Sequence, residues 1–140
     1  ENSSFLASSA NPDPAVHGRG FVARLSGSTA EFIHIWQLLF FGETPFLLED
    51  GQLKLAFSPC IPDYLMPEDG MIEATFLGKI PVIYRAAGCA ALIPGKTKVI
   101  SYRLTMTDGT EKAVYAPVLD SGDALAVRNG EITRMEVTMA

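Results

Sequence analysis

The chain is poor in charge, in cysteine and in histidine, and these shortages exclude several classes of protein. Only 19% of its 140 residues are charged, and 11 basic residues are outnumbered by 16 acidic ones, for a net charge of −5. Without a basic stripe to neutralise phosphates along a strand, we expect no nucleic-acid partner. The two cysteines, Cys60 and Cys89, share no metal-ligand spacing with His17 and His34, so we expect no metal site. Whether the two thiols form a disulfide stays open at this point.

Long apolar runs are missing as well. The apolar pattern at residues 32–41 is too short and too interrupted to cross a bilayer, and no basic-then-apolar signal peptide opens the chain. We therefore expect no membrane partner. Hydrophobic residues still make up 48% of the sequence, which predicts a folded domain with a core. The opening ENSSFLASSANPDP lacks an initiator methionine and reads like the middle of a longer protein.

One stretch contains the only long helical pattern, namely GRGFVARLSGSTAEFIHIWQLLFFG at residues 18–42. Apolar residues recur there at helical spacing. Ser28 followed three residues later by Glu31 fits a capping box, and Gly42 suits the position after a helix. The sequence therefore predicts a helix over residues 28–41.

The start of this helix is a candidate anion site. The first turn of a helix carries unpaired N–H groups and a partial positive charge, and glycine lets an anion approach them. Ser26, Gly27 and Ser28 provide hydroxyls and an open backbone there, and Arg19 and Arg24 provide positive charge. The alternative is a helix that is merely well capped, because capping boxes are common and a Ser/Gly turn is a weak phosphate signal.

After Gly42 the period changes from helical to alternating, which predicts strands. Asp50–Gly51 indicates a hairpin turn, and Pro81 suggests an edge strand or a bulge. Later runs predict further strands at residues 71–76, 80–84, 99–107, 112–116, 124–127 and 132–139. The predicted fold is mainly β, a sandwich or jelly roll of about eight short strands preceded by one long helix.

Three segments carry a resemblance to a known family: ENSSFLASS at 1–9, HGRGFVARLSGSTAEF at 17–32 and DGQLKLAFSPCIP at 50–62. The chain resembles the C-terminal portion of inverting glycoside phosphorylases of the cellobiose and chitobiose phosphorylase type, most closely the 1,2-β-oligoglucan phosphorylases. The resemblance implies that residues 1–42 end a catalytic (α/α)6 barrel, with the predicted helix as its last one. Residues 43–140 would then form the C-terminal jelly-roll domain.

The resemblance also implies a reaction. Such enzymes cleave a β-glucoside with inorganic phosphate as co-substrate, giving α-glucose 1-phosphate with inversion, and they need no cofactor. A Thr-Gly pair before the last barrel helix holds the phosphate in the family, and Ser26–Gly27 stands at that place here. His17, Arg19 and Arg24 are possible phosphate or sugar contacts. The general-acid aspartate would lie upstream of this chain, so the chain alone should be inactive, and we expect a cytoplasmic protein.

Other polar and aromatic residues receive structural interpretations. We expect His34 to have a structural role, in the core or on the surface, rather than a catalytic one. The alternative to a phosphate or sugar contact for His17 is a loop histidine that holds a turn. Trp36 and the pair Phe40–Phe41 are expected to pack in the core, and Tyr64 is a candidate for a residue that reaches toward the cleft. The remaining carboxylates are expected in turns and on the surface: Asp13, Glu31, Asp50, Asp63, Glu68 and Asp69.

Three functions stay open from the sequence. The first is the phosphorylase fragment, whose apolar helix would be covered by strands, by the rest of the barrel or by a second copy. The second is a non-catalytic carbohydrate-binding or scaffold β-domain. The third is a small independent enzyme, which is disfavoured because the sequence offers no nucleophile–base pair and no metal set.

Overall fold

A computed structural model of the chain describes residues 2–24 and 26–140, with side chains described for residues 6–20 and 29–140. In sequence order the elements are β1 Asn2–Leu6, β2 Gly20–Arg24, α1 Ser26–Phe40, β3 Phe46–Glu49, β4 Gln52–Leu55, β5 Met71–Phe76, β6 Ile80–Arg85, β7 Val99–Met106, β8 Glu111–Val114, α2 Ser121–Arg128 and β9 Ile132–Met139. Two short 3₁₀ helices lie at Pro14–Val16 and Asp63–Leu65. The described chain is therefore mainly β with one long and one short α-helix, and its mainly β class is as predicted.

The chain divides into two compact units, Glu1–Ile35 and Trp36–Ala140. The division falls inside α1, whereas the predicted boundary at residues 42 and 43 follows that helix and stays a prediction. In the first unit β1 and β2 pair as an antiparallel hairpin, with Phe5 opposite Phe21. The connection between these strands holds the 3₁₀ helix Pro14–Val16, and the Asp13 carboxylate caps it by accepting the Ala15 N–H at 3.0 Å.

The second unit is built on a five-stranded sheet with the order β5-β6-β9-β7-β8. β6 and β9 pair in parallel, and the other neighbours are antiparallel. β3 and β4 form a separate antiparallel hairpin, which meets the chain before α2 through a bridge between Leu55 and Leu119. This arrangement is compatible with a β-sandwich.

The core of the second unit is formed by one face of the sheet and the elements that cover it. Alternate residues of a strand face opposite sides of the sheet. The side chains of β6, β7 and β9 that face this core are buried. They are joined by residues of β4 and α2 and by an aromatic group that includes Phe41, the residue after α1. The largest fully buried side chains are Tyr84, Tyr102, Leu55, Ile80, Leu92, Leu104, Leu119 and Met135.

One predicted strand is a helix in the structure. Residues 124–127, predicted as part of a final hairpin, lie within α2. Asp120 caps this helix by accepting the Asp123 N–H at 3.2 Å, and Arg128 lies in its last turn, where positive charge is favoured. Asp123, Ala124 and Val127 are buried at a helical rather than an alternating spacing. The strand prediction is wrong because so short a segment does not distinguish the two periods.

Two further expectations need correction. α1 begins at Ser26, two residues before the predicted start, so Ser28 is the third residue of the helix rather than its cap. β6 is an internal strand, although Pro81 suggests an edge. Proline is tolerated there because the pairing of β6 with β9 begins only at Val82.

Candidate functional site

The predicted phosphate site lies where β2 gives way to α1. β2 ends at Arg24 and α1 begins at Ser26, so Ser26 and Gly27 occupy the first turn of a 15-residue helix. The first N–H groups of an α-helix have no carbonyl partner within the helix. The backbone at this position therefore offers donors to an anion. The side chains of Arg24 and Ser26 lie outside the described part, so the predicted contacts of this turn stay predictions.

His17 and Arg19, the other candidate contacts, lie in the loop that joins β1 to β2. Both residues are exposed. His17 Nε2 lies 2.8 Å from the carbonyl oxygen of Asn11, so this nitrogen carries the proton and donates. This hydrogen bond is the one expected of a loop histidine that holds a turn. The Arg19 backbone closes the same loop, since its N–H donates to the Val16 carbonyl at 3.0 Å and its carbonyl accepts from the Ala7 N–H at 3.1 Å.

The C-terminal end of α1 is fixed by groups that the sequence did not single out. The Tyr84 hydroxyl donates to the Phe40 carbonyl. The Cys60 N–H donates to the Leu39 carbonyl at 2.8 Å, and the Ser58 N–H donates to the Phe41 carbonyl at 3.1 Å. Carbonyls that a helix end normally leaves unpaired are thus satisfied by later residues of the second unit. No local sequence pattern predicts these contacts, because they join residues that are far apart in the chain.

Gly42 ends the helix as predicted. Its φ is +93°, a conformation that favours glycine, and its N–H donates to the Gln37 carbonyl at 3.0 Å. A side chain there would also lie against Ser58, because a Cβ on residue 42 would be 3.2 Å from both the Cβ and the carbonyl oxygen of that serine. The helix exit is therefore closely packed.

α1 exposes much of its apolar surface in this chain. Phe32 and Ile33 are each 65% exposed, and Trp36 is 57% exposed. The prediction that Trp36 packs in the core is therefore wrong: its ring stacks on Phe40 with centroids 5.1 Å apart but otherwise faces outward. Phe41 is buried against Phe76, with ring centroids 4.8 Å apart. A helix with such a surface is typical of an element that is buried in a larger protein.

The remaining candidates are scattered over the surface. His34 is exposed, and Tyr64 is 81% exposed. Cys60 and Cys89 are both free thiols, so the chain contains no disulfide between them. Among the residues that the structure describes, no group of three or more His, Cys, Asp or Glu side chains is placed to hold a metal ion. Within the same residues, no helix has the length and apolar character needed to cross a membrane.

A polar groove lies on the outer face of the five-stranded sheet, and no motif in the sequence predicted it. Its volume is about 340 Å³. It contains the ion pair between Arg85 Nε and Glu136 Oε2, 2.8 Å apart, together with Arg103 and the exposed ring of Tyr115. The outward positions of alternating strands were the available signal, but the contributing strands β6, β7 and β9 are far apart in sequence.

Comparison with known proteins adds no family to this description. The chain matches no model of a known protein family, and no curated protein matches its sequence.

Proposed function

We propose that the chain is the C-terminal portion of an inverting glycoside phosphorylase of the cellobiose and chitobiose phosphorylase type, nearest to the 1,2-β-oligoglucan phosphorylases. The observation that carries the proposal is the position of Ser26 and Gly27 at the first turn of the one long helix. The pair that the resemblance assigns to phosphate thus coincides with unpaired N–H groups and a positive helix end. Arg24, the last residue of the preceding strand, would add charge.

In this proposal α1 is the last helix of an (α/α)6 barrel, and residues 43–140 form a jelly-roll domain. The exposed Phe32, Ile33 and Trp36 support the first part, because the barrel would cover apolar side chains that the chain itself leaves in water. A second copy of the chain is the other candidate cover. The strand-rich make-up of residues 43–140, which contain β3 to β9 and one short α-helix, supports the second part.

The chemistry of the chain's own residues is binding and orientation of phosphate. The helix N–H groups and the Ser26 hydroxyl would donate hydrogen bonds to the phosphate oxygens, which holds one oxygen ready to attack the anomeric carbon from the face opposite the leaving group. An aspartic acid upstream of this chain would protonate the leaving glycosidic oxygen. The C–O bond to the aglycone breaks as the C–O bond to phosphate forms, giving α-glucose 1-phosphate with inversion. No carboxylate base is required, because the phosphate is already a nucleophile.

The same proposal specifies the other components. The substrates are a β-glucan oligosaccharide, β-1,2-linked by the closest resemblance, and inorganic phosphate, with no cofactor. His17, Arg19 and Arg24 are further candidates for phosphate or sugar contacts. The enzyme would work in the cytoplasm, without a nucleic-acid or membrane partner.

A non-catalytic carbohydrate-binding or scaffold β-domain is the second candidate function. The observation that favours it is the self-contained core of the second unit, in which large side chains such as Tyr84 and Tyr102 are fully buried within Trp36–Ala140. A scaffold role predicts a stable domain whose helix start has no affinity for phosphate.

The test is phosphorolysis of β-1,2-glucan by the product of the complete reading frame that contains this chain. A hydrogen bond to a charged group is worth roughly 1.5–3 kcal/mol, so Ser26→Ala should weaken the use of phosphate about ten- to a hundredfold. Gly27→Val should weaken it further, because a branched side chain would occupy the space of the anion. Ser9→Ala, which removes an exposed hydroxyl in the same unit, is the matched control and should change nothing.

The isolated chain supplies a second test. It should release no glucose 1-phosphate from β-1,2-glucan and phosphate, because loss of a general acid alone costs about 10²–10⁴-fold and the sugar subsites are also upstream. Turnover by the 140-residue chain at the rate of the complete enzyme would show that the catalytic residues have been misplaced.

A further inference from the structure

The outer groove is the polar hollow on the solvent-facing side of the five-stranded sheet, lined by Arg85, Ser101, Arg103, Ala113, Tyr115, Glu136 and Thr138. Strand register arranges these residues in two rows. Arg85 of β6 lies beside Thr138 of β9, which lies beside Ser101 of β7. Glu136 of β9 likewise lies beside Arg103 of β7, which lies beside Ala113 of β8. The small Ser101, Ala113 and Thr138 side chains therefore alternate with long ones, which creates the hollow.

The single carboxylate in this lining, Glu136, is already paired with two arginines. Glu136 Oε2 accepts from Arg85 Nε at 2.8 Å, and Glu136 Oε1 accepts from Arg134 Nη2 at 2.9 Å. The hydrogen bond from Arg85 is the main reason that the pKa of Glu136 is lowered, and the charges of Arg85, Arg134 and Arg103 add to it. Glu136 thus stays ionised and engaged, and it leaves little negative charge to repel an anion.

Arg103 is held only loosely. Its ion pair with Glu111 spans 4.0 Å, and both side chains are more than half exposed. A pair of this kind is weak in water. Arg103 is also a lining residue of the groove, so a weakly paired guanidinium is available there to an anion.

Apart from Glu136, whose oxygens are engaged, the charged side chains of the lining are hydrogen-bond donors. The guanidinium-bearing Arg85 and Arg103 line the hollow together with the hydroxyl-bearing Ser101, Thr138 and Tyr115. Guanidinium groups match the two oxygens of a carboxylate or phosphate, and such hydrogen bonds are among the strongest in proteins. The Tyr115 ring is 84% exposed at the edge of the groove, and it offers a flat apolar surface beside the donors.

We propose that the outer groove binds a small ring-bearing oxyanion, whose carboxylate or phosphate group contacts Arg103 and Arg85 while its ring lies against Tyr115. The groove volume of about 340 Å³ is at the small end of ligand sites. It suits a ligand the size of one acidic or phosphorylated sugar. This site is separate from the start of α1 and does not depend on the phosphorylase proposal.

The experiment is isothermal titration of the 140-residue chain with glucuronate, glucose 6-phosphate, inorganic phosphate and uncharged glucose. Both ring-bearing anions should bind, and glucose should not. The tighter of the two identifies the head group, carboxylate or phosphate. Arg103→Gln should weaken binding about ten- to a hundredfold, because a charged hydrogen bond is lost. Tyr115→Ala should weaken the binding of both ring-bearing anions but leave the binding of inorganic phosphate unchanged.

Two controls make the result decisive. Arg128→Gln removes the same charge from the exposed last turn of α2 and should leave binding unchanged. Ser26→Ala should leave the binding of glucuronate, which carries no phosphate, unchanged, and this separates the outer groove from the proposed phosphate site on α1. No binding of either anion, or equal losses in Arg103→Gln and Arg128→Gln, would overturn the proposal. Unchanged ring-anion binding in Tyr115→Ala would remove the role of the ring.

Discussion

Replacing Tyr102 with phenylalanine should destabilise the second unit, Trp36–Ala140, although the two side chains differ by only one oxygen. Tyr102 lies in β7 and is fully buried. Its hydroxyl accepts a hydrogen bond from the Phe57 N–H at 3.2 Å and donates one to the Pro117 carbonyl at 3.1 Å. One oxygen therefore satisfies a donor before β5 and an acceptor before α2.

The expected magnitude follows from those two partners. A buried polar group left without a partner costs about 1–3 kcal/mol, and Tyr102→Phe leaves the N–H of the buried Phe57 in that state. The Pro117 carbonyl belongs to an exposed residue, so water can replace its lost donor. We expect the free energy of unfolding to fall by about 1–3 kcal/mol. At roughly 3 °C per kcal/mol for a protein of this size, the thermal midpoint should drop by about 3–9 °C.

Urea denaturation followed by circular dichroism measures this difference, and Tyr115→Phe is the matched control. Tyr115 is 84% exposed, so removal of its hydroxyl should change stability by less than about 0.5 kcal/mol. Equal midpoints for the two variants would refute the reasoning, because the buried hydroxyl would then carry no more of the stability than a hydroxyl in water.

Three further predictions concern the same unit. Burial raises the pKa of Tyr102 from 10.0 to about 12. The stability that comes from its neutral form should therefore be fully present below pH 10 and be lost as the pH rises to 12. Between pH 10 and 12 the urea midpoint should fall less steeply for Tyr102→Phe than for the wild type. Gly42→Ala should cost about 1–3 kcal/mol, since a Cβ at φ +93° would lie 3.2 Å from Ser58 atoms, whereas Gly95→Ala, with positive φ but open space, should cost less in thermal melts. Asp120→Ala should cost about 1 kcal/mol in urea denaturation by removing the cap of α2, and an unchanged midpoint would show that the cap is dispensable.

The sequence predicted the elements whose pattern is local. β5 at Met71–Phe76 and β9 at Ile132–Met139 have the predicted bounds, because alternation of apolar residues reports a strand with one buried face. The turn at Asp50–Gly51 also has the positive φ values of 51° and 74° that its dipeptide favours. These features depend on neighbours in the chain and on the backbone freedom of particular residues.

Features set by distant residues were not accessible in the same way. The short segment of α2 contains too few turns to distinguish helix from strand, and its identity depends on burial of Ala124 and Val127. Alternation along β7 puts Ile100 on the same face as Tyr102, but a register shift between Val99 and Ser101 leaves it 48% exposed. A bulge of this kind depends on the partner strand.

The two candidate sites differ in the same way: one depends on local sequence signals and the other on distant residues. The start of α1 near Ser26 was found within two residues, because glycine, serine and the apolar period that follows are local signals. The outer groove was missed, because Arg85, Arg103 and Glu136 come together only through strand pairing. A single sequence gives the direction of each outward side chain but not which strands are neighbours.

The most direct test of the central proposal is the Michaelis constant for phosphate in β-1,2-glucan phosphorolysis, measured for the complete enzyme and for its Ser26→Ala variant. The account predicts glucose 1-phosphate formation by the wild type. In Ser26→Ala it predicts phosphate use weakened about ten- to a hundredfold, with an unchanged thermal midpoint. An unchanged Michaelis constant and turnover in both Ser26→Ala and Gly27→Val would contradict the account and leave the start of α1 as an ordinary helix end.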